Sequence, residues 1–267
     1  MLLSKRTTER LMLGYIIPSI HKAALQLLSA LILCTKKILV PFCGCIISQL
    51  TQTLSWTHVN CYTVGMDKPY SHLRETVYAV TCDLLKTLGG CCDLGLLGSE
   101  FIQELLSDIR AEEIELKINS SKLNKNNSSD GPSSSKKRKK SGGYQEISRG
   151  QGLAKKINKT ANHSTCSMAL EALRWLLHTN GSTVMTKTMK EIVHCLMEVS
   201  NRMQQCADSP ALPYAHPACR VGIYRAVLAL VLVPHPTVPP PVHLAFRLLQ
   251  GGLQTQTCRC HRAVEKL

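Results

Sequence analysis

The residues best suited to bind a charged partner form one uninterrupted run of five cations: Lys136, Lys137, Arg138, Lys139 and Lys140. Serines and glycines surround this run, which predicts a flexible backbone with accessible side chains. An accessible basic segment fits the acidic grooves of a nuclear-import receptor, so we interpret the run as a nuclear-import signal. Nonspecific RNA binding and a run that only solvates the chain are the alternatives, and neither excludes import.

Three leucines spaced for one helix face form a second candidate binding element. Leu173, Leu176 and Leu177 make a Leu-x-x-Leu-Leu pattern, whose side chains share a face and can fill a groove on a partner. A weaker version, which begins with isoleucine, consists of Ile102, Leu105 and Leu106. Such patterns arise often in leucine-rich helices, so burial in the core is the favoured interpretation and partner docking is the alternative.

Thirteen cysteines and ten histidines raise the question of a metal centre. Structural zinc sites use ligand pairs separated by roughly two to four residues. The close cysteine pairs of this chain lack that spacing: Cys43/Cys45, Cys91/Cys92 and Cys258/Cys260, the last followed by His261. We therefore predict buried free cysteines in a reducing compartment, with no metal and no other cofactor.

Motifs for catalysis are absent from the sequence. It contains no glycine-rich phosphate loop, no Gly-x-Ser-x-Gly nucleophile motif and no His-Glu-x-x-His zinc motif. The prediction is a protein that acts by binding and is not an enzyme.

Helices with aliphatic faces must position these residues. Apolar residues of the segment after Asp67 recur every three or four positions, which predicts one buried helix face: Leu73, Val77, Val80, Leu84 and Leu88. Either Asp67 or Ser71 is the expected cap. The predicted helices lie near 11–33, 37–54, 69–88, 99–110, 165–178, 184–205, 221–233 and 242–250.

Two of these segments predict particular environments. A stripe of Met185, Met189, Ile192, Leu196, Val199 and Met203 indicates a core face. The segment Val221–Val233 is apolar all round, which predicts a helix buried on most sides.

The chain divides by composition into three parts. Residues 1–117 form a first helical block, 118–162 a disordered linker that carries the basic run, and 163–267 a second helical block. Helix pairs joined by short turns predict an all-α fold, an armadillo- or HEAT-like α-solenoid of antiparallel helix pairs interrupted by the linker. No repeat of fixed period is visible.

The net charge is +14, from 32 basic and 18 acidic residues. It favours acidic partners such as RNA or acidic protein surfaces, although a few solvated clusters also explain the excess. The apolar stretch Leu11–Leu33 carries Pro18, His21 and Lys22 near its middle. A charge at the bilayer centre costs about 2.5–3.5 kcal/mol, so we predict no contact with a membrane.

Four segments, taken in order, resemble the proline-, glutamic-acid- and leucine-rich protein family, which is related to the Rix subunit of ribosome-assembly complexes. They are KPYSHLRETVYAV (68–80), SEFIQELLSDI (99–109), CSMALEALRWLL (166–177) and CRVGIYRAVLALVLVPHPTVPPPVHLAFR (219–247). Their order and spacing, with a lysine-rich linker between the second and third, carry the resemblance.

The resemblance implies a scaffold of the nucleus, nucleolus and nucleoplasm. Family members are helical-repeat platforms that join a WD-repeat subunit and another helical-repeat subunit, in a complex that matures the large ribosomal subunit and engages its precursors (pre-60S particles). Animal members are also described as coregulators that bind nuclear receptors through Leu-x-x-Leu-Leu motifs, which Leu173, Leu176 and Leu177 satisfy. The acidic tail of the family is absent, so we expect a partial chain.

Overall fold

The computed structural model describes residues 2–59, 62–91, 99–111, 158–205 and 213–252, with side chains described at Met12 and from Gly14 onward. Within these ranges every regular element is a helix, as the sequence predicts. The α-helices are α1 (Leu2–Thr35), α2 (Cys43–Trp56), α3 (Ser71–Leu88), α4 (Ser99–Ile109), α5 (His163–Asn180), α6 (Thr186–Gln205), α7 (Pro217–Leu232) and α8 (242–252), with short 3-10 helices at Lys36–Phe42 and Gly89–Cys91.

The helices pack in two alternating rows. Helices α1, α3, α5 and α7 lie next to one another in that order, and α2, α4 and α6 do the same in a second row. Each even-numbered helix of this set also packs against the odd-numbered helix that follows it. This regular alternation is the packing of a helical-repeat fold, which confirms the predicted fold class.

The described parts of both predicted helical blocks belong to one compact unit, Met1–Glu113 with Asn158–Leu267. Asn162 joins them through two hydrogen bonds. Its side-chain oxygen accepts from the backbone amide of Lys68 at 2.6 Å, and its backbone amide donates to the Asp67 carboxylate at 2.9 Å. Of the predicted linker, only 158–162 are described, so the predicted disorder of the rest lies outside the described residues.

The periodicity of α3 is confirmed, whereas its predicted cap is wrong. Leu73, Val77 and the other members of the predicted face are all buried. Neither Asp67 nor Ser71 caps the helix: Tyr70 takes the N-cap position with φ 61°, and no side chain caps the amides. Asp67 is committed elsewhere, because its carboxylate accepts the hydrogen bond from Asn162.

The predicted stripe on α6 is buried at Met189, Ile192, Leu196 and Val199. Met203 is half-buried and packs against the core, whereas Met185 is 65% exposed because it precedes the first residue of the helix.

Helix α7 is not buried on most sides, contrary to its all-apolar composition. Its described neighbours α5 and α6 cover one side, whereas Val221, Leu228 and Leu232 are exposed. Composition cannot distinguish a helix covered all round from one covered on a single side. On the covered side Gly222 allows close approach, since a Cβ there would lie 3.1 Å from the Leu170 Cβ.

Candidate functional site

A buried ionic cluster joins helices α2, α3 and α4. Arg74 on α3 has a relative exposure of 2%. Its Nε donates to Oδ2 of Asp108 at 2.7 Å, and its Nη2 donates to Oε2 of Glu104 at 2.9 Å, both on α4. Its Nη1 donates to the carbonyl of Leu54 on α2 at 2.8 Å. One guanidinium therefore ties three helices together.

Asp108 is the anionic centre of this Arg74 cluster, which we define as Lys68, Arg74, Tyr78, Glu104 and Asp108. The Tyr78 hydroxyl donates to Oδ2 of Asp108 at 2.7 Å, and the Lys68 ammonium donates to Oδ1 at 3.0 Å. The carboxylate thus receives hydrogen bonds from three side chains that flank or lie on the KPYSHLRETVYAV segment. Such a set of charge-assisted bonds fixes the geometry of the helices that carry it.

The protonation states of the cluster are set by burial and by neighbouring charges. Burial alone would raise the pKa of Asp108, but Arg74 and Lys68 outweigh it and hold the pKa below its ordinary value. Burial, reinforced by Asp108, raises the pKa of the Tyr78 phenol well above its ordinary value. A charged carboxylate and a neutral phenol at neutral pH offer no group poised for proton transfer. The cluster suits a structural role.

A cavity of about 230 Å³ lies beside the cluster. It is lined by Thr57, His58, Val59, Tyr62, Lys68, Arg74, Ser107 and Asp108. Its volume is below the roughly 300–1,000 Å³ of typical ligand sites. The charged groups on its wall are already paired with one another, so the cavity has little with which to attract a charged ligand.

The two candidate docking motifs lie in the core. Leu173, Leu176 and Leu177 on α5 have no exposed surface. The weaker motif on α4 is also buried, with relative exposures of 0–3%: Ile102, Leu105 and Leu106. A partner could take up either motif only if its helix left the core, so the burial supports the core interpretation.

The predicted import signal, Lys136 to Lys140, lies outside the described residues. Its predicted function rests on the sequence alone.

The cysteine prediction is correct for Cys43, which is buried, and wrong for Cys45 and Cys91, which are exposed. Cys45 lies on the outward side of α2, and Cys91 ends the 3-10 helix after α3, so neither position meets the core. The other members of the predicted pairs lie outside the described residues. Within the described ranges, no group of three or more His, Cys, Asp or Glu residues could hold a metal ion.

Helix α1 presents the largest group of exposed apolar side chains on any described helix. Only Leu25 and Ile32 of its described residues are buried, although the helix packs against α3. We call its large, exposed apolar side chains the open α1 surface: Met12, Tyr15, Ile16, Ile17, Ile20, Leu27, Leu31 and Leu33. Patches of this kind on a folded protein mark sites of interaction.

Length and composition alone would allow part of the stretch Gly14–Trp56 to cross a membrane. Among the described residues it is the one stretch that meets this test. The core helices of soluble proteins and N-terminal signal sequences meet the same test, so the finding is weak evidence for a membrane span.

A groove of about 340 Å³ separates α1 from α2 at one end of the open α1 surface. Ile17 and His21 line it from α1, and Gln49, Gln52, Thr53 and Trp56 line it from α2. The Trp56 ring contacts the rings of His21 and Tyr70 edge-on, with centroid distances of 5.4 Å in both cases. The Trp56 ring is thus the aromatic part of the α2 wall, and it meets His21 from the α1 side.

Sequence reasoning missed both the Arg74 cluster and the open α1 surface. An arginine flanked by the buried positions Leu73 and Val77 was a usable signal, since a charge inside an apolar face needs a partner. For α1 the signal was an apolar composition on all sides of a long helix, which more than one neighbour would be needed to cover.

Comparison with known proteins places the chain beside two curated relatives. No family model matches it. It is 32% identical over 246 residues to proline-, glutamic acid- and leucine-rich protein 1 of Mus musculus, an alignment that includes 89% of this chain and 22% of the relative. It is 29% identical over 263 residues to the protein of the same name from Xenopus laevis, with 92% of this chain and 24% of the relative aligned.

The chain thus spans about a quarter of the length of these relatives. Over about nine-tenths of its own length it is similar to proline-, glutamic acid- and leucine-rich protein 1, which confirms the family resemblance found in its sequence.

Proposed function

We propose that this protein is a non-enzymatic scaffold of the nucleus and nucleolus, acting in a complex that matures the large ribosomal subunit and processes its precursor RNA. The similarity to proline-, glutamic acid- and leucine-rich protein 1 supports this proposal, together with what the resemblance implies for the family. The observation that carries it is the open α1 surface, because a scaffold needs an apolar face that its own fold leaves uncovered.

The proposed mechanism is binding through uncovered aliphatic helix faces. The open α1 surface is one such face, and α7 and α8 also carry exposed apolar residues: Val221, Leu228, Leu232, Val242, Phe246 and Leu249. Helical-repeat proteins stack their units through faces of this kind, so an uncovered face is ready to pack against another protein. The proposed partners are a WD-repeat subunit, a helical-repeat subunit and precursors of the large ribosomal subunit.

The test is to add the purified, tagged chain to nuclear extract and to identify the bound proteins by mass spectrometry. We expect the WD-repeat and helical-repeat subunits together with large-subunit precursors. Because a net charge of +14 attracts ribosomal RNA nonspecifically, the control replaces Lys136 to Lys140 with alanine. Retention of the partners by this variant would assign the binding to the helices, whereas recovery of chaperones alone would refute the scaffold function.

The alternative function, a coregulator of nuclear receptors acting through Leu173, Leu176 and Leu177, finds no support in the fold. These side chains would have to fill a groove on the receptor, and all three are buried. Weak or indirect RNA contact through the basic run remains a separate prediction. Neutralising Lys136 to Lys140 should then lower RNA affinity and flatten its dependence on salt.

A further inference from the structure

The groove between α1 and α2 has the form of a binding site for a helix. It is open along one side, and it adjoins the open α1 surface, whose apolar residues extend from Met12 to Leu33. At about 1.5 Å per residue this surface is roughly 30 Å long, which matches a helix of about five turns. An amphipathic helix laid along its groove side would bury part of this surface and place its own apolar stripe in the groove.

The described side chains of α1 and α2 carry charge of one sign. From Arg10 to Met66 the sequence contains no aspartate and no glutamate. Three lysines with exposed positions lie in the same stretch: Lys22, Lys36 and Lys37. Among the side chains of α1 and α2 that the structure describes, none is a carboxylate that could balance them.

Three carboxylates of the neighbouring elements have partners other than these lysines. Asp83 on α3 accepts a 2.6 Å hydrogen bond from the Ser29 hydroxyl. Glu104 on α4 contacts both Arg74 and His58, and the Asp67 carboxylate accepts a hydrogen bond from the backbone amide of Asn162. The lysines beside the open α1 surface therefore favour a partner that brings its own acidic side chains.

Two other occupants fit these observations less well. In a symmetric contact, the same surface of a second copy would bring the same three lysines, so these charges would repel. A lipid surface would satisfy the lysines, but acyl chains would leave the amides of Gln49 and Gln52 without hydrogen-bond partners in the groove. A helix can offer polar side chains to both glutamines.

We propose that the α1–α2 groove, with the open α1 surface, docks an amphipathic helix of a partner protein whose apolar stripe is flanked by aspartate or glutamate. This inference deepens the proposed scaffold function by assigning it a binding site and a partner chemistry.

A displayed library of 18-residue helices tests the proposal directly. Each helix carries a fixed leucine stripe, and the flanking positions are randomised among glutamate, lysine and glutamine. The full purified chain is the target. We expect enriched helices with an excess of glutamate, because the leucine stripe is common to all members and only the flanks differ. Enrichment of helices with equal numbers of glutamate and lysine, or no enrichment, would overturn the proposal.

Variants of the target locate the site. Ile17→Glu places a charge in the groove and Trp56→Ala removes its aromatic wall, so each should weaken the selected helices at least tenfold. Met185→Glu is the matched control, since it adds the same charge to an exposed apolar position just before α6 and should leave binding unchanged. Circular dichroism establishes that each variant is folded. Binding that survives Ile17→Glu would overturn the assignment.

Charge reversal provides a gain-of-function test. With Lys22→Glu, Lys36→Glu and Lys37→Glu combined, the same library should yield lysine-flanked helices. An unchanged preference for glutamate would show that the lysines play no part and would overturn the proposed chemistry.

Two measurements detect the other occupants. Light scattering that finds a dimer abolished by Ile17→Glu would assign the surface to a second copy. Flotation with phosphatidylserine vesicles that is lost in Ile17→Glu, without selection of any helix, would assign it to lipid. Either result would replace the proposal. The helix selection uses the purified chain, so it can succeed even if the capture of ribosomal precursors from nuclear extract fails. A negative result for the docking site is therefore distinguishable from a negative result for the scaffold function.

Discussion

Arg74 shows how one residue can decide the arrangement of several helices. Its guanidinium donates to the carboxylates of Asp108 and Glu104 and to the carbonyl of Leu54, which lie on α4 and α2. A planar group with five donors suits such a junction, because its separate nitrogens reach acceptors on two other helices at once. Lysine could not reproduce these contacts from a single ammonium.

Asp108→Asn should destabilise the protein by about 3–5 kcal/mol, because it leaves the buried Arg74 without its anion. The measurement is the free energy of unfolding from chemical denaturation. Glu100→Gln, at an exposed position of the same helix, is the control and should cost no more than about 1 kcal/mol, the contribution of a carboxylate in the first turn of a helix. Equal effects of the two substitutions would contradict the proposed role of the cluster.

The same carboxylate predicts a dependence of stability on pH. Its pKa is lowered in the folded protein, so its contribution is complete above the unfolded value of about 3.9 and is lost as the pH falls through the folded value. Unfolding free energies measured below pH 4 should therefore fall more steeply for the natural protein than for Asp108→Asn. Parallel pH profiles for the two proteins would show that Asp108 does not carry this term.

Leu173→Ala should reduce the free energy of unfolding by about 2–5 kcal/mol, as expected for a fully buried leucine. The comparison is Leu228→Ala, which truncates an exposed leucine on α7 and should have little effect. If Leu173→Ala left stability unchanged but abolished binding to a nuclear receptor, the motif would be a docking element after all.

At the scale of elements, α5 organises the second half of the described fold. It packs against α3, α4 and α7, and it carries the leucines whose spacing first suggested a docking motif. Its contact with α7 is close because Gly222 has no side chain where Leu170 approaches. The buried leucines of α5 and the glycine of α7 thus both contribute to the packing of α5 in the core.

Gly222→Ala should destabilise the protein by about 1–3 kcal/mol, because the new Cβ would lie 3.1 Å from the Leu170 Cβ, which cannot move without its helix. The matched control is Gly14→Ala on α1, where an added Cβ meets nothing within 4 Å. There the gain in helix propensity should stabilise the protein by up to about 1 kcal/mol. Thermal unfolding of both variants measures the contrast, and a shift in the same direction for both would contradict the packing argument.

At the scale of the whole molecule, charge and apolar surface are separated along the sequence. The run from Lys136 to Lys140 lies between the two helical blocks, whereas the open α1 surface lies near the amino terminus. Import and partner binding can therefore be changed independently.

Replacing Lys137, Arg138 and Lys139 together with alanine should move a fluorescently tagged chain from the nucleus to the cytoplasm, because an import receptor would lose the central cations of its ligand. Microscopy measures the ratio of nuclear to cytoplasmic fluorescence. Ile17→Glu is the control and should leave this ratio unchanged. Full nuclear accumulation of the triple variant would refute the import assignment.

Helix positions and the faces of α3 and α6 could be predicted because they depend on local spacing. Val77 and Ile192 belong to apolar stripes with the helical period, and burial of such a stripe against the rest of the protein is the expected outcome. The cap of α3 could not be predicted in this way. Asp67 binds Asn162, which is 95 residues away, and no local rule anticipates that competition.

The sequence by itself determined that this chain is helical, where most of its helices lie and which family it resembles, because these follow from periodicity and from the order of short segments. Only the tertiary structure decided which apolar faces are covered. Leu173 and Ile17 both belong to aliphatic helices, yet one is in the core and the other is exposed, since coverage depends on which helices lie beside each face. The pairing of Arg74 with Asp108 likewise depends on the tertiary structure, because two charges 34 residues apart meet only when α3 and α4 pack together.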